Sequence, residues 1–89
     1  MLERWDEICH EWTGELLQSG SDDEVFASGY LQGHFAVVLS QLEQNEAPTL
    51  DGLQAKMADV LGAAKSELSP QDLVLIQNAW QQLNQRLIA

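Results

Sequence analysis

Apolar residues recur every three or four positions in four separate stretches of the chain, and this spacing constrains the fold more than any other feature. It places apolar side chains along one face of an α-helix. No stretch shows the sustained apolar–polar alternation of a strand, and no Asn-Gly pair marks a hairpin. The chain is therefore predicted to be all-α, with four helices running from about Leu2 to Gln18, Asp22 to Asn45, Leu50 to Ser66, and Pro70 to Leu87.

The breaks between these stretches carry residues that begin or end helices. Ser21 and Glu24 have the spacing of a capping box, in which each side chain accepts a hydrogen bond from the backbone amide of the other residue. Thr49 and Ser69 are predicted to cap the third and fourth helices. Because the connections are only a few residues long, consecutive helices are expected to run antiparallel. The sequence thus predicts one domain, residues 1–89, folded as an antiparallel up-down-up-down four-helix bundle.

The second helix differs from the others because apolar residues cover most of its circumference, which is typical of a helix buried on several sides. It also contains Gly29 and Gly33, each of which costs a helix about 1 kcal/mol relative to alanine. With Ala36 and Ser40 they form a strip of small residues that lets another backbone approach closely. We expect this strip to pack against helix one or four, so that Gly33→Ala would clash. The alternative is a closely packed interface with a partner or a second copy.

The candidate interaction or ligand surface lies on this second helix and consists of Phe26, Gly29, Tyr30, Gly33 and His34. His34 follows Tyr30 by one turn, on the same side of the helix, and is predicted to be at least half buried. A histidine satisfied at the edge of the core is the preferred interpretation. A histidine that contacts a ligand and a buried pH-sensitive histidine are the alternatives.

The first helix offers two arrangements that could carry chemistry, and neither is favoured. Glu7 and His10 form one Glu-x-x-His step, whereas di-iron bundles need two such steps and two more glutamates, and this pair is predicted to face water. Cys9 lies at the edge of the apolar arc, and the neighbouring His10 points about 100° away from it. A buried structural thiol is therefore predicted. We expect no catalytic residues, no cofactor and no metal.

Acidic residues far outnumber basic ones: 14 Asp and Glu against 4 Lys and Arg give a formal charge of −10. Nucleic acid and anionic membranes are bound through clustered Lys and Arg, so neither is expected as a partner. The first residues lack the basic start and apolar run of a secretory signal, and no stretch approaches the ~18 to 20 apolar residues of a membrane span. The lone Cys9 fits a reducing compartment. The cytoplasm is the expected location.

Two parts of the sequence resemble a known family. The run SDDEVFASGYLQGH from Ser21 to His34, the run LSPQD from Leu68 to Asp72, and Trp80 are similar to the YfcL-like family of small gammaproteobacterial proteins. No motif in the first or third helix contributes to the resemblance. It implies a bacterial cytoplasmic protein and supplies no particular chemistry.

These observations favour a non-enzymatic helical module that binds another protein or itself through the second helix. The alternative function is a small-ligand-binding bundle with a pocket near Tyr30 and His34. A third possible function is that of an acidic decoy, which occupies the basic nucleic-acid-binding surface of another protein. The negative charge of the chain permits this function.

Overall fold

The chain folds into four helices, α1 (Leu2–Ser19), α2 (Asp22–Leu42), α3 (Leu50–Ala64) and α4 (Pro70–Ile88). The structure, a computed structural model, describes residues 2–44 and 48–89. These two ranges contain no strand, and the predicted up-down-up-down bundle is confirmed. Helix α2 ends at Leu42, and the predicted end at Asn45 lies outside the described residues. Helix α3 ends at Ala64 instead of Ser66, because residues 65–67 form turns.

Helices α2 and α4 form the centre of the bundle, since each contacts the three other helices. Within the described ranges α1 and α3 do not contact each other. This arrangement explains why α2 is apolar on several sides, as the sequence predicted. The largest fully buried side chains come from all four helices: Trp12, Leu31, Phe35, Leu42, Leu53, Met57, Ile76 and Leu83.

Helix α1 packs against the centre through its predicted apolar arc, which buries Trp5, Cys9 and Trp12. The Trp12 indole Nε1 donates to the Gln82 side-chain oxygen of α4 over 3.4 Å. Nearer the solvent, both terminal nitrogens of the Arg86 guanidinium donate to the Glu15 carboxylate. The pKa of Glu15 is lowered because these hydrogen bonds favour its charged form. Exposed ion pairs contribute little to stability, so apolar burial supplies most of the contact between α1 and α4.

The three predicted caps are confirmed. The Ser21 hydroxyl accepts from the Glu24 amide over 3.2 Å, and the Ser21 amide donates to the Glu24 carboxylate over 3.0 Å. The Thr49 hydroxyl accepts from the amide of residue 52 over 3.0 Å, and the Ser69 hydroxyl accepts from the amide of residue 72 over 3.2 Å. These bonds satisfy amides that have no partner inside their helices.

We expect Ser21→Ala and Ser69→Ala each to lower the free energy of unfolding by about 1 kcal/mol, because each leaves one of these amides without its acceptor. Urea unfolding followed by circular dichroism measures the change. Ser40→Ala is the matched control, since Ser40 is exposed in the interior of α2 and alanine is a better helix former. A loss below about 0.2 kcal/mol at either cap would contradict the assigned capping role.

Candidate interaction face on α2

Two opposite sides of α2 meet different surroundings. Leu31, Phe35 and Val38 point into the core and are almost completely buried. On the other side Phe26 is 45% exposed and Val37 is 56% exposed. Because residues three and four positions apart are neighbours on a helix, these two belong to one stripe with the small residues between them. We call this stripe the α2 outer face and define it as Phe26, Gly29, Gly33, Ala36, Val37 and Ser40, all of which are exposed.

The expectation that Gly29 and Gly33 pack against helix one or four is wrong. Both glycines are exposed, and a Cβ atom built at either position meets no heavy atom within 4 Å beyond the backbone of α2 itself. The physical reason is the helical register: both glycines lie opposite Leu31 and Phe35, which occupy the core. The strip of small residues therefore lies on the solvent side of the bundle.

The α2 outer face carries no charge. Residues 25–42 contain no Asp, Glu, Lys or Arg, although charged residues make up 20% of the whole chain. Acidic residues stand at both ends of this run, Asp22, Asp23 and Glu24 before it and Glu43 after it. The result is an uncharged, partly apolar surface with a negative boundary at each end.

Tyr30 and His34 lie beside the α2 outer face instead of in it. Both are half-buried, which agrees with the burial predicted for His34, and Tyr30 packs against the core. Their ring centroids are 4.6 Å apart and the ring planes are tilted by 47°. Five surface grooves among residues 2–44 and 48–89 are lined by neither side chain. A ligand pocket near these two residues therefore stays a prediction.

The groups on α1 that could carry chemistry do not converge. Glu7 pairs with Arg4 over 3.3 Å, and both side chains are largely exposed. His10 instead contacts Asp6 over 3.4 Å and the Gln32 side chain over 3.1 Å. The predicted outward orientation of Glu7 and His10 is thus confirmed. Across residues 2–44 and 48–89, no three His, Cys, Asp or Glu residues are grouped so that they could hold a metal ion.

Cys9 is buried, as the sequence predicted. Removal from water, with a smaller contribution from the nearby Asp6 carboxylate, raises the pKa of its thiol from 9.0 to about 12. The thiolate is the nucleophilic form of cysteine, so this environment suppresses its reactivity at neutral pH. Cys9 acts as a small apolar side chain of the core.

Sequence reasoning did not include Val37 among the candidate site residues. Val37 follows Gly33 by four positions and so shares its face, and this spacing could have identified it. The missing information was which side of α2 faced solvent, because valine fits either side of a helix that is apolar nearly all round.

None of the helices in residues 2–44 and 48–89 combines the length and the apolar character needed to span a membrane.

The fold defines the chain as a small all-α four-helix protein with an uncharged face on α2. The sequence profile of the family described as YfcL protein matches residues 3–85. The chain belongs to the YfcL family, so the resemblance seen in the sequence is confirmed. It is 34% identical over 73 residues to "Uncharacterized protein YfcL" of Escherichia coli (strain K12), covering 80% of this chain and 79% of that protein. No solved structure matches the chain.

The exposed glycines lead to a stability prediction of opposite sign to the one made from the sequence. Gly33→Ala is expected to raise the free energy of unfolding by up to about 1 kcal/mol, because only helix propensity changes where no neighbouring atom is met. Urea unfolding of the purified chain measures the gain. Gly62→Ala in α3 is the matched control, since a Cβ atom there also meets no atom within 4 Å. Destabilisation by Gly33→Ala alone would contradict the open surroundings of Gly33.

Proposed function

We propose that the protein is a non-enzymatic helical module that binds another protein through the α2 outer face. The observation that carries this proposal is the exposure of Phe26 and Val37 on a helix face without charge. Charged residues are depleted from the central parts of protein interfaces, while aromatic residues are enriched there. The α2 outer face has this composition in a chain that is otherwise strongly acidic.

The glycines suit the close approach of a partner helix. Gly29 and Gly33 together cost α2 roughly 2 kcal/mol relative to alanine, and no contact among the described residues explains why these positions lack a side chain. Two glycines four positions apart leave a shallow channel along a helix into which another backbone fits. Helical glycines also occur elsewhere in the chain, so the argument rests on this pair lying between Phe26 and Val37 on one face.

Charge favours a different protein, and not a second copy of the chain, as the partner that binds the α2 outer face. Each copy carries a formal charge of −10. In a symmetric pair of α2 helices, whether parallel or antiparallel, the acidic ends of one outer face would meet acidic ends of the other. Like charges brought together in this way oppose association. A partner with neutral or basic residues at the matching positions avoids that repulsion.

The non-enzymatic part of the proposal is supported by the dispersal of the titratable groups on α1 and by the protonated thiol of Cys9. The cytoplasm is the proposed location, because a single cysteine that makes no internal disulfide suits a reducing compartment. Membership in the YfcL family assigns neither an activity nor a location.

The experiment uses the tagged full chain, produced in cells of its natural host and isolated with whatever protein it retains. We expect one partner protein to be isolated with the chain in stoichiometric amount. The variants Val37→Asp and Gly33→Leu should fail to retain this partner, and Ile88→Asp should retain it. Ile88 is a matched control because it is 59% exposed and lies at the end of α4, away from the α2 outer face. Circular dichroism shows whether each variant is folded.

Equal retention by Val37→Asp and Ile88→Asp would contradict the proposal. Sedimentation of the purified chain over a range of concentrations tests whether a second copy of the chain binds the α2 outer face instead. If the purified chain forms a dimer that Val37→Asp dissociates, the α2 outer face binds a second copy of the chain and not another protein. A bound metabolite detected by native mass spectrometry, and released by Tyr30→Ala, would instead favour the ligand-binding alternative.

A further inference from the structure

A second surface, separate from the α2 outer face, lies between the N-terminal halves of α2 and α4. Two adjoining cavities of about 590 and 210 Å³ open there, and both are lined by Asp23 and Leu75. They therefore form one continuous groove, which we call the α2–α4 groove. It extends along α4 from Pro70 to Gln82, a distance of about 18 Å at 1.5 Å per residue.

Half of the residues that line this groove are apolar, and the others are Asp, Glu, Gln and Asn. Leu16 at the end of α1, Ala27 of α2, and Leu75 and Ala79 of α4 line it. Val74 stands at its open end and is 54% exposed. A groove about three helical turns long, with apolar residues along its length and polar residues beside them, fits one amphipathic helix, whose apolar residues recur every three and four positions.

Three carboxylates border the groove: Asp23, Glu24 and Asp72. None of them makes an ion pair in the described parts of the chain. The two helix N-termini at this end supply together roughly one positive charge, so about two negative charges remain uncompensated. The connection between α3 and α4 adds Lys65 and Glu67, whose charges cancel.

We propose that the α2–α4 groove binds a basic amphipathic helix of a partner protein. Its apolar side chains would cover Leu75 and Ala79, and its Lys or Arg side chains would meet Asp23 and Asp72. The negative border disfavours phosphate-bearing ligands. A second copy of this chain is a poor occupant. Arg4 and Arg86 are already paired with Glu7 and Glu15, and Lys56 and Lys65 are far apart in the sequence, so no helix in residues 2–44 and 48–89 has a basic face.

The test uses a synthetic helical peptide of about 14 residues, with leucines three and four positions apart and lysines at both ends. It is titrated into the isotopically labelled full chain while the backbone amide resonances are recorded. We expect saturable shifts centred on Asp23, Ala27, Val74 and Leu75. A peptide with glutamates in place of the lysines, and one with serines in place of the leucines, should each bind at least about tenfold more weakly.

Two variants of the chain separate the two surfaces. Val74→Asp should weaken binding of the lysine peptide by about tenfold or more, because it places an unpaired charge on apolar contact area. Val37→Asp is the matched control, since Val37 is equally exposed but lies on the α2 outer face, and it should leave the affinity unchanged. Asp23→Asn combined with Asp72→Asn should weaken binding about fivefold and reduce its salt dependence.

The proposal is overturned if the glutamate peptide binds as well as the lysine peptide. It is also overturned if no saturable shifts of the amide resonances occur. The same holds if the shifts fall on residues of the α2 outer face and are lost in Val37→Asp. Failure of this peptide experiment leaves the proposed function intact, because that function concerns the other face and is tested with other variants.

Discussion

Phe35→Ala is expected to remove about 3 to 5 kcal/mol from the free energy of unfolding. Phe35 is 1% exposed and lies on the inner side of α2, the helix that contacts all the others. Its truncation leaves a cavity that the surrounding helices can close only in part. A chain of 89 residues has a total stability of roughly 4 to 13 kcal/mol, so the variant should be close to unfolding at room temperature. Urea unfolding followed by far-ultraviolet circular dichroism measures the loss.

Phe26→Ala is the matched control for this prediction, since it removes the same side chain from the same helix. Phe26 is 45% exposed on the α2 outer face, so its truncation creates no closed cavity and should cost less than about 1.5 kcal/mol. The assignment of inner and outer sides of α2 would be contradicted if the two variants were equally destabilised, or if Phe26→Ala were the more damaging.

The helices could be predicted from the sequence because their signals are local. The caps at Ser21, Thr49 and Ser69 depend on residues within three positions, and each forms the hydrogen bond that its spacing indicates. The short connections then leave little choice of topology. The predicted ends of helices that lack such a signal were less accurate. The third helix was predicted to end near Ser66, where no capping residue marks its end, and it ends at Ala64.

The orientation of α2 could not be predicted, because it depends on where the three other helices lie. A helix with apolar residues nearly all round its circumference is compatible with several rotations about its axis. Gly29 and Gly33 were predicted to contact a neighbouring helix, because a strip of small residues lets another backbone approach closely. In the structure the large residues Leu31 and Phe35 take the core, and the glycines are left outside.

The α2–α4 groove also depends on relations between distant parts of the chain. Asp23 and Asp72 each have a local explanation as acidic residues in the first turn of a helix. Only the parallel placement of α2 and α4 brings them to one end of the bundle, next to the apolar residues Ala27 and Leu75. The family resemblance rested on these same two helices, and the family profile extends it across α1 and α3.

The stability of the protein is expected to fall steeply at alkaline pH because of Cys9. The pKa of its thiol is raised to about 12 in the folded chain, from an ordinary value of 9.0. Above pH 9 the unfolded chain loses this proton while the folded chain keeps it, so unfolding becomes more favourable as pH rises. The contribution is fully present below pH 9 and is lost progressively up to pH 12, at about 1.4 kcal/mol per pH unit and about 4 kcal/mol in all.

Cys9→Ala isolates this effect, because every other side chain is the same in both proteins and its contribution cancels in the comparison. At neutral pH the variant should be less stable by about 1 to 2 kcal/mol, since a buried side chain is shortened. Above pH 9 its stability should decline less steeply than that of the native chain, and the two curves of unfolding free energy against pH should cross. Urea unfolding at intervals from pH 7 to pH 11 provides both curves. Parallel curves would mean that the folded chain gives up the Cys9 proton as readily as the unfolded chain, and that the core around Cys9 admits water.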